Sequence, residues 1–402
     1  MNQGSAPLRI AIVAGEESGD LLGADLVRAL ARQSGRPVEL IGVGGRHLHQ
    51  LGLRSLFDPA EIAIMGFSAV LQSLPRLMMR IRQTAKAIAA AKPDCLITID
   101  VPDFSLRVAR RVRADAPDIP TVHYVCPSVW AWRPGRAIEM RPYVDHILCL
   151  LPFEPDELDR LGGPAGTFVG HRLASDPAIR DAALSQLGGG NRGGVRKLLL
   201  LPGSRRGEVS RLLPVFGETV RALKSAGHAF QVQIPTVPHV AQLVMDATES
   251  WVVKPEVILD EARKWKAFGE ADAALACSGT VALELALARV PFISVYRTDF
   301  IARLLGPLLI KVWSASLPNL IAGWPVVPEY FNQYVRPELL ARLLPRLWSD
   351  TPTRLAQRQG FAQVADALST STPSGELAAK VVLDLVRRRA GARTSPEPLR
   401  KA

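Results

Sequence analysis

Short apolar blocks alternate with longer stretches of helical periodicity along the first half of the chain. The blocks are apolar on both faces, which is typical of strands buried in a parallel sheet. Strands of this kind that alternate with helices predict an α/β fold. The predicted strands are Arg9–Ala14, Val38–Val43, Cys95–Ile99 and Thr121–Val125, and the predicted helices include Leu21–Gln33, Leu77–Ala91 and Leu106–Ala114.

The alternation begins again after a glycine-rich stretch at Gly188–Gly194. A chain of 402 residues is too long for one core. We therefore expect two doubly wound, Rossmann-like domains that face a cleft, with ligands at the carboxyl ends of the strands. In the second domain the pattern predicts strands at Leu198–Leu201, Ala229–Ile234, Ala273–Cys277 and Pro291–Tyr296, and a helix at Leu212–Ala226.

A helical pattern from Thr353 to Arg389 follows no further strand. We expect these C-terminal helices to pack back on the first domain, and we expect the basic tail after them to be disordered. The predicted division is a first domain at 1–176, a linker at 177–194, a second domain at 195–350, C-terminal helices at 351–390 and the tail at 391–402.

Composition narrows the class of protein. Hydrophobic residues make up 48% of the chain and charged residues 22%, as in soluble globular proteins. The four cysteines are scattered without zinc-binding spacing, so we expect buried thiols in a reducing compartment. The sequence has no signal-peptide pattern and no apolar run near the roughly 18 residues of a membrane span, which predicts a cytoplasmic protein.

The net charge of +11 fits three kinds of partner: nucleic acid, an anionic membrane or a phosphorylated substrate. The sequence contains no pattern of a nucleic-acid-binding module, so we expect no nucleic-acid partner. The positive charge is concentrated in the C-terminal tail and in the segment Gly66–Lys86.

The residues after the predicted strand Ala273–Cys277 suggest an anion site. Ser278, Gly279 and Thr280 are small residues at a strand-to-helix turn, where backbone N–H groups and the helix dipole attract phosphate. Glu284 lies one helical turn later, where its carboxylate can accept hydrogen bonds from two ribose hydroxyls. These residues alone fit a nucleotide site and an ordinary capped helix equally well.

A second candidate anion loop, formed by Gly203, Ser204 and Arg205, follows the first strand of the second domain. Gly and Ser supply backbone donors, and Arg can bind a pyrophosphate through charge-assisted, bidentate hydrogen bonds. The alternative is a surface turn with a solvated arginine. Two anion loops in one domain favour the nucleotide interpretation, because both can hold the same diphosphate.

The loop after Cys95–Ile99 supplies a candidate base. Asp100 directly follows the apolar strand, where desolvation raises the pKa of a carboxylate toward the working range of a general base. Asp103 is placed to cap a helix that begins near Ser105, so we favour Asp100 as the base. The chain has no Asp-x-Asp pattern, which argues against a metal–pyrophosphate site of that kind.

Two further loops of the first domain are candidates for contacts with sugar or acyl groups. One combines glycines with acidic residues, which suits sugar hydroxyls better than phosphate; the alternative is a tight turn before a capped helix. The other carries two tryptophans, which stack on sugars or line an acyl-chain entrance; the alternative is a hydrophobic plug between domains. The candidate residues are Gly15, Glu16, Ser18 and Gly19 in the first loop, and Trp130 and Trp132 in the second. Asp103, in the loop after Cys95–Ile99, is a further candidate for contact with the acceptor sugar.

From about Arg9 to about Leu340, the chain resembles the lipid-A-disaccharide synthase family, glycosyltransferases of the two-Rossmann-domain (GT-B) type. Each block of similarity is weak alone, but their order and spacing are specific. Cys126 is a departure, since the family leads us to expect Ser there. The blocks are Val13–Glu16 with Ser18–Asp20, Ile62–Gly66, Ile99–Phe104, His123–Val125 with Pro127–Trp132, Leu150–Glu154, Gly170–His171, Leu201–Arg205, Ser278–Thr280 with Glu284, and Ser316–Leu320.

The resemblance implies a reaction in lipid A biosynthesis in Gram-negative bacteria. UDP-2,3-diacylglucosamine would donate its sugar to the 6-hydroxyl of 2,3-diacylglucosamine 1-phosphate, giving a β(1→6) disaccharide 1-phosphate and UDP with inversion. Asp100 would be the base, and Arg205 with the Ser278–Thr280 turn would stabilise the diphosphate. Glu284 would bind the ribose, and Asn319 would lie on the donor side. The scheme requires no metal and no cofactor, and the family suggests a homodimer.

Acylated substrates give the segment after Gly66 a new interpretation. Its apolar residues alternate with arginines, which is typical of an interfacial helix on an anionic membrane; the alternative is an amphipathic core helix. We therefore expect peripheral association with the inner membrane. The predicted contact residues are Phe67, Val70, Leu71, Leu74, Leu77 and Met78.

Two other functions remain open from the sequence. A UDP-sugar 2-epimerase of the same architecture would use the same Ser-Gly-Thr and Glu pattern without the apolar, basic segment. A non-catalytic protein that binds nucleotides or lipids would show the same anion loops without turnover.

Overall fold

A computed structural model of the chain describes residues 6–62, 67–189, 194–298 and 310–394, without the side chains of residues 67–74 and 390–394. Within these residues the strands form two parallel sheets, and each sheet has its own hydrophobic core. This architecture confirms the predicted α/β class with two doubly wound sheets.

The first sheet consists of β1 (Leu8–Ala14), β2 (Val38–Val43), β3 (Cys95–Ile99), β4 (Thr121–Tyr124), β5 (His146–Cys149) and β6 (Gly166–Phe168), in the order β2-β1-β3-β4-β5-β6. The predicted strands of this half are present to within a residue at each end. Strand β3 is buried along its whole length, as its continuous apolar run requires. Strands β5 and β6, of four and three residues, were not predicted.

The second sheet consists of β7 (Arg196–Leu201), β8 (Phe230–Pro235), β9 (Glu256–Ile258), β10 (Ala273–Cys277), β11 (Phe292–Tyr296) and β12 (Glu329–Phe331), in the order β12-β11-β10-β7-β8-β9. Strand β10 was predicted with its observed bounds and is fully buried. The short strands β9 and β12, which lie at the two edges, were not predicted.

Helices connect successive strands, and several begin at capping residues. Asp176, Asp260 and Thr351 each accept a hydrogen bond from a backbone N–H of the first helical turn that follows. The helices are Glu17–Ser34, Arg46–His49, Phe67–Ala91, Pro102–Asp115, Gly135–Met140, Glu154–Arg160, Pro177–Leu187, Arg206–Ser225, Pro238–Thr248, Glu261–Glu270, Thr280–Leu287, Leu317–Ala322, Pro337–Leu343, Pro352–Leu368 and Ser374–Thr394.

Two helices contain an interior proline. Helix Phe67–Ala91 contains Pro75, and helix Arg206–Ser225 contains Pro214. An interior proline removes one backbone hydrogen bond and costs about 3 kcal/mol. In Arg206–Ser225 the apolar face compensates, because residues on both sides of Pro214 are buried in the core.

The chain divides into two compact units at different positions from those predicted. The first unit contains residues 1–172 and 370–402, and the second contains residues 173–369. The predicted linker at 177–194 begins with helix Pro177–Leu187, which belongs to the second unit. Its Gln186 amide donates hydrogen bonds to the carbonyl oxygens of Phe268 and Ala271, at 2.8 and 2.7 Å. The glycine-rich part of the predicted linker begins only at Gly188.

The predicted C-terminal helical stretch is two helices in different units. Pro352–Leu368 packs in the second unit, so the expectation that all these helices return to the first domain was wrong for this one. Only Ser374–Thr394 packs on the first unit, against helix Glu17–Ser34, where Gln33 donates to the Glu376 carbonyl at 2.9 Å. The chain leaves helical geometry at Ser369, and Pro373 precedes the next helix.

The last helix also changes the account of the basic tail. Its backbone continues to Thr394, so residues 391–394 are helical and not disordered as predicted. Residues 395–402 lie outside the described residues.

Candidate functional site

In both sheets the strand order reverses direction at one point, and ligands of doubly wound folds bind in the crevice beside such a point. In the first sheet it lies between β1 and β3, and in the second between β10 and β7. Each of these pairs is parallel, so the loops at their carboxyl ends lie together. Four of the loops that carry candidate chemistry follow β1, β3, β7 and β10.

The loop after β7 requires glycine at position 203. Gly203 has φ +106°, and a Cβ there would lie 2.5 Å from Oε2 of Glu208. Glu208 approaches Arg205 twice: Oε2 lies 3.4 Å from the backbone nitrogen, and Oε1 lies 3.3 Å from Nη1. Arg205 is the N-cap of helix Arg206–Ser225, and its side chain is 64% exposed. The guanidinium is therefore accessible to an anion at this helix start.

The loop after β10 has the other predicted anion turn. Gly279 has φ 154° and ψ −159°, a conformation reserved almost entirely for glycine, and it is the N-cap of helix Thr280–Leu287. The Ser278 hydroxyl donates to the carbonyl oxygen of Ala315 at 2.8 Å. This bond connects the turn to the segment before helix Leu317–Ala322.

The two loops line one cavity of about 360 Å³ in the second unit. It contains every donor-side residue predicted from the sequence except Asn319. The end of β8 and helix Glu261–Glu270 complete its wall. The lining residues are Leu201, Gly203, Ser204, Arg205, Glu208, Pro235, Thr236, Val237, Lys264, Cys277, Ser278, Gly279, Thr280, Val281 and Glu284.

Lys264 is a cavity residue that sequence reasoning missed. Its Nζ lies 2.8 Å from Oε2 of Glu284. On the sequence it is one of several charged residues of an amphipathic helix, and nothing distinguishes it from the exposed Lys266 two residues later. Only its contact with Glu284 and its place in the cavity wall reveal its position.

The prediction that Asn319 contacts the donor is not supported by its position. The side chain is 1% exposed. Its Nδ2 donates to the Val327 carbonyl at 2.9 Å and to Glu329 Oε2 at 3.2 Å, and its Oδ1 accepts from the Val327 N–H at 2.7 Å. These bonds are internal to the unit, so the buried Asn319 side chain connects helix Leu317–Ala322 to Val327 and Glu329.

In the first unit, Asp100 occupies a strained turn directly after β3. Asp100 has φ +50° and Val101 has φ +43°. Positive φ is uncommon outside glycine, and it is an outlier for a β-branched residue such as Val101. Burial raises the pKa of the Asp100 carboxyl, while a 2.8 Å hydrogen bond from the Val101 N–H to Oδ1 acts in the opposite direction. The direction of the shift is the one a general base requires.

Asp103 has a different position from the predicted cap. The helix begins at Pro102, so Asp103 lies inside its first turn. Its Oδ1 lies 2.6 Å from Nη2 of Arg136, and the carboxylate is 66% exposed. The hydroxyl of Ser105 instead donates to the carbonyl oxygens of Asp100 and Val101. Proline at the first helical position moved the start of this helix three residues earlier than predicted.

The loop after β1 forms part of a shallow groove of about 390 Å³. Gly15 and Glu16 line this groove, together with Arg46 and His47. A Cβ at Gly15 would lie 2.7 Å from Ile62 and 3.1 Å from Val101, so glycine lets this loop approach the Asp100 turn. Ser18 is exposed on the first helical turn, and Gly19 packs on Ile99.

Asp20, in the same loop, is structural. It is 2% exposed, and its carboxylate accepts hydrogen bonds from the N–H groups of Gly45, His47 and Leu48. These bonds fix the start of helix Arg46–His49 against helix Glu17–Ser34. The loop therefore combines a bracing carboxylate with an open face.

The two tryptophans of the β4 loop differ. Trp130 is partly buried; its Nε1 donates to Oε1 of Glu154 at 3.2 Å, and its ring meets Phe153 edge-on at 5.1 Å. Trp132 is 39% exposed and carries the Arg133 guanidinium over its ring at 4.3 Å. Trp130 is therefore held by contacts within the first unit, and Trp132 keeps a face open to a ligand.

Among the residues that the structure describes, one group has the donor types of a metal site. Cys126, Cys149 and Glu154 are all buried, with their donor atoms within 4.8 Å of one another. The Glu154 carboxylate already accepts from Trp130 and from two backbone N–H groups. Burial raises the pKa of Glu154 to about 7. The cysteines belong to an apolar core cluster, so the group is a packed interior.

Helix Phe67–Ala91 is half core and half surface. Ile81, Ala85 and Ile88 are buried, whereas Met78 and Met79 are 39% and 53% exposed. The methionines lie in a surface groove with Pro75, Arg82, Gln83 and Lys86. Leu77 is half-buried; the side chains of the predicted contact residues Phe67, Val70, Leu71 and Leu74 lie outside the described residues. None of the helices described has the length and apolar character of a membrane span.

A family model described as "Lipid-A-disaccharide synthetase" matches residues 10–378. The chain belongs to this family. The lipid-A-disaccharide synthase of Rhodopseudomonas palustris (strain HaA2) is 46% identical over 383 residues, which cover 94% of this chain and 97% of that protein. Family membership confirms the resemblance read from the sequence blocks.

Solved structures of other proteins share the fold of this member of the lipid-A-disaccharide synthase family. Acinetobacter baumannii MurG has a TM-score of 0.55 at 14% identity and covers 94% of this chain and 99% of its own. The UDP-GlcNAc 2-epimerase of Neisseria meningitidis has a TM-score of 0.58 at 12% identity and covers 94% and 100%. Because likeness at this identity shows the fold alone, it does not favour the epimerase alternative.

Proposed function

We propose that the chain catalyses the condensation of UDP-2,3-diacylglucosamine with 2,3-diacylglucosamine 1-phosphate. The products are the β(1→6)-linked tetra-acylated disaccharide 1-phosphate and UDP. The acceptor 6-hydroxyl attacks the anomeric carbon, the bond from that carbon to the UDP oxygen breaks, and the hydroxyl proton passes to a carboxylate. One displacement of this kind inverts the anomeric configuration.

The observation that carries the proposal is the cavity beside the β7–β10 switch point. It is lined by two independent anion loops, which can donate hydrogen bonds to a diphosphate, and by a carboxylate, which can accept them from ribose hydroxyls. Arg205 supplies positive charge to the leaving diphosphate, and the Ser278–Thr280 turn supplies a helix start. Glu284 lines the same cavity, and its carboxylate accepts hydrogen bonds from the ribose hydroxyls.

In the first unit, Asp100 is the general base of this proposal. Its raised pKa and its position at the β1–β3 switch point support that role over Asp103, which is exposed and paired with Arg136. Glu16 and Trp132 offer open surface for the acceptor sugar, and Gly15 lines the groove beside Glu16. The mechanism uses side-chain and backbone groups of the chain and requires no metal or cofactor.

Peripheral association with the anionic inner membrane forms part of the proposal. Both substrates carry acyl chains, and Met78 and Met79 are exposed beside Arg82 and Lys86. In this proposal the surface contacts the cytoplasmic face of the membrane. A homodimer stays a prediction from the family resemblance.

The direct test is to incubate the purified chain with both substrates and follow the products by mass spectrometry. We expect UDP and tetra-acylated disaccharide in equal amounts, and neither when the acceptor is omitted. Arg205→Ala should lower kcat/KM by about 100-fold, because charge stabilisation of a leaving group is typically worth that much. Arg221→Ala, on the exposed face of the same helix, is the matched control and should retain wild-type activity.

If protein that is shown to be folded forms no disaccharide from the two substrates, the proposed reaction is refuted. Conversion of a UDP-sugar to its 2-epimer without an acceptor would instead identify an epimerase. Equal losses in Arg205→Ala and Arg221→Ala would remove Arg205 from the leaving-group site.

A further inference from the structure

Lys264 and Glu284 form an ion pair in the wall of the second unit's cavity. Nζ and Oε2 are 2.8 Å apart, and the two side chains are 25% and 16% exposed. Both residues line the cavity with Arg205 and the Ser278–Thr280 turn. The pair is therefore at the site proposed for the nucleotide, and nothing in the reaction as proposed requires the lysine.

The position of the Lys264 ammonium is fixed by a second contact. It lies 4.2 Å from the centroid of the Trp265 ring, within the range of a cation–π interaction. Trp265 is 7% exposed and meets the buried Phe268 edge-on at 5.2 Å. The ammonium group is therefore restrained by two contacts, one with the buried Trp265 ring and one with the Glu284 carboxylate. Few surface ion pairs are restrained in this way.

The charge of the pair determines what it can bind. A lysine already neutralised by a carboxylate at 2.8 Å adds little attraction for phosphate, and Arg205 and the helix start serve that purpose. An ionised carboxylate, by contrast, has about four acceptor positions on its two oxygens. The lysine occupies one position, which leaves Glu284 able to accept from two neighbouring hydroxyls.

We infer that Lys264 is a positioning residue that orients Glu284 toward the vicinal hydroxyls of the ribose of a nucleoside diphosphate. Lys264 acts through Glu284 and does not itself contact the diphosphate. The inference rests on the proposed function, since it takes UDP as the leaving group. The oriented Glu284 carboxylate makes the site selective for ribonucleotides over 2′-deoxyribonucleotides.

The test is calorimetric binding of UDP and 2′-deoxy-UDP to the full chain. The wild type should bind UDP about tenfold more tightly, since a hydroxyl donating to a charged acceptor contributes at least that much. In Lys264→Met the preference should fall to about threefold or less, because Glu284 loses its orientation. Lys264→Gln should behave in the same way, and Lys264→Arg should restore most of the preference.

Lys266→Met is the matched control, because Lys266 is exposed on the same helix and does not line the cavity. It should keep the wild-type preference. Thermal melting of each variant separates a folding defect from a binding defect, and the Gln variant replaces the Met variant if the latter does not fold.

Three outcomes would overturn the inference. Equal losses of affinity for UDP and 2′-deoxy-UDP in Lys264→Met would mean that the lysine contacts the diphosphate. Unchanged affinities for both would mean that the pair is a surface ion pair of no consequence for binding. A wild type that binds neither nucleotide would refute the cavity as a nucleotide site, and with it the proposed function; in the first two outcomes the proposed function survives.

Discussion

Asp100 has a backbone conformation that is unfavourable for a non-glycine residue, and the next residue shares it. Such conformations persist only where the surrounding fold fixes them, and they are concentrated at functional sites. The sequence identified Asp100 because a carboxylate directly after a buried strand is desolvated. It could not identify Lys264, whose importance comes from its contacts with Glu284 and Trp265. The burial of Asn319 could not be predicted either, because the partners of a buried amide are set by tertiary packing.

The raised pKa of Asp100 gives opposite pH dependences for activity and stability. The base must be ionised, so activity should fall as pH drops through the raised pKa, at higher pH than the ordinary value of 3.8. The folded state favours the protonated Asp100 carboxyl. The contribution of Asp100 to the free energy of unfolding is therefore present below the ordinary pKa and is lost as pH rises through the raised pKa.

Asp100→Asn should therefore lower kcat/KM by about 100- to 10,000-fold, the usual contribution of a general base, and raise the melting temperature at pH 8. Asn also tolerates the positive φ at this position. Asp103→Asn is the matched control and should keep activity within a few-fold of wild type. The prediction is wrong if Asp103→Asn suffers the larger loss, or if Asp100→Asn melts lower than wild type at pH 8.

At the scale of the helices and strands, the long buried strands were predictable and the short edge strands were not. β3 and β10 have continuous apolar runs, whereas β9 and β12 have three residues each and gain their pairing from neighbouring strands. Helix Phe67–Ala91 was predicted to begin at Leu77, because Pro75 disfavours a helix locally. Packing of its later turns in the core outweighs that local preference.

The exposed part of this helix should bind membranes. Replacing Met78 and Met79 together by Ser should weaken partitioning into anionic vesicles by about tenfold, because two apolar side chains no longer enter the interface. Turnover of short-chain substrates should be unaffected. The measurement is flotation with vesicles that contain anionic lipid.

Leu184 and Leu187 provide the control, since they are 65% and 55% exposed but lie in the second unit. Their double replacement by Ser should leave partitioning unchanged. If both double variants lose binding equally, general surface hydrophobicity explains the association; if neither does, the proposed membrane surface is wrong.

For the whole molecule, the sequence predicted two doubly wound units but placed their boundaries incorrectly. Composition marks flexible segments, such as the glycine-rich stretch, but a unit boundary depends on which contacts form. Helix Pro177–Leu187 joins the second unit through Gln186, and helix Ser374–Thr394 joins the first by packing on Glu17–Ser34. Both interactions connect residues far apart in the chain, which local patterns cannot reveal.

The central claim concerns the whole molecule: the chain transfers a diacylated glucosamine from UDP by one displacement. The most direct measurement is the nuclear magnetic resonance spectrum of the purified product made from the α-linked donor. We predict a disaccharide joined through the acceptor 6-position with β configuration at the new anomeric centre. An α linkage would contradict single displacement with Asp100 as base, and the absence of any disaccharide would contradict the proposed function.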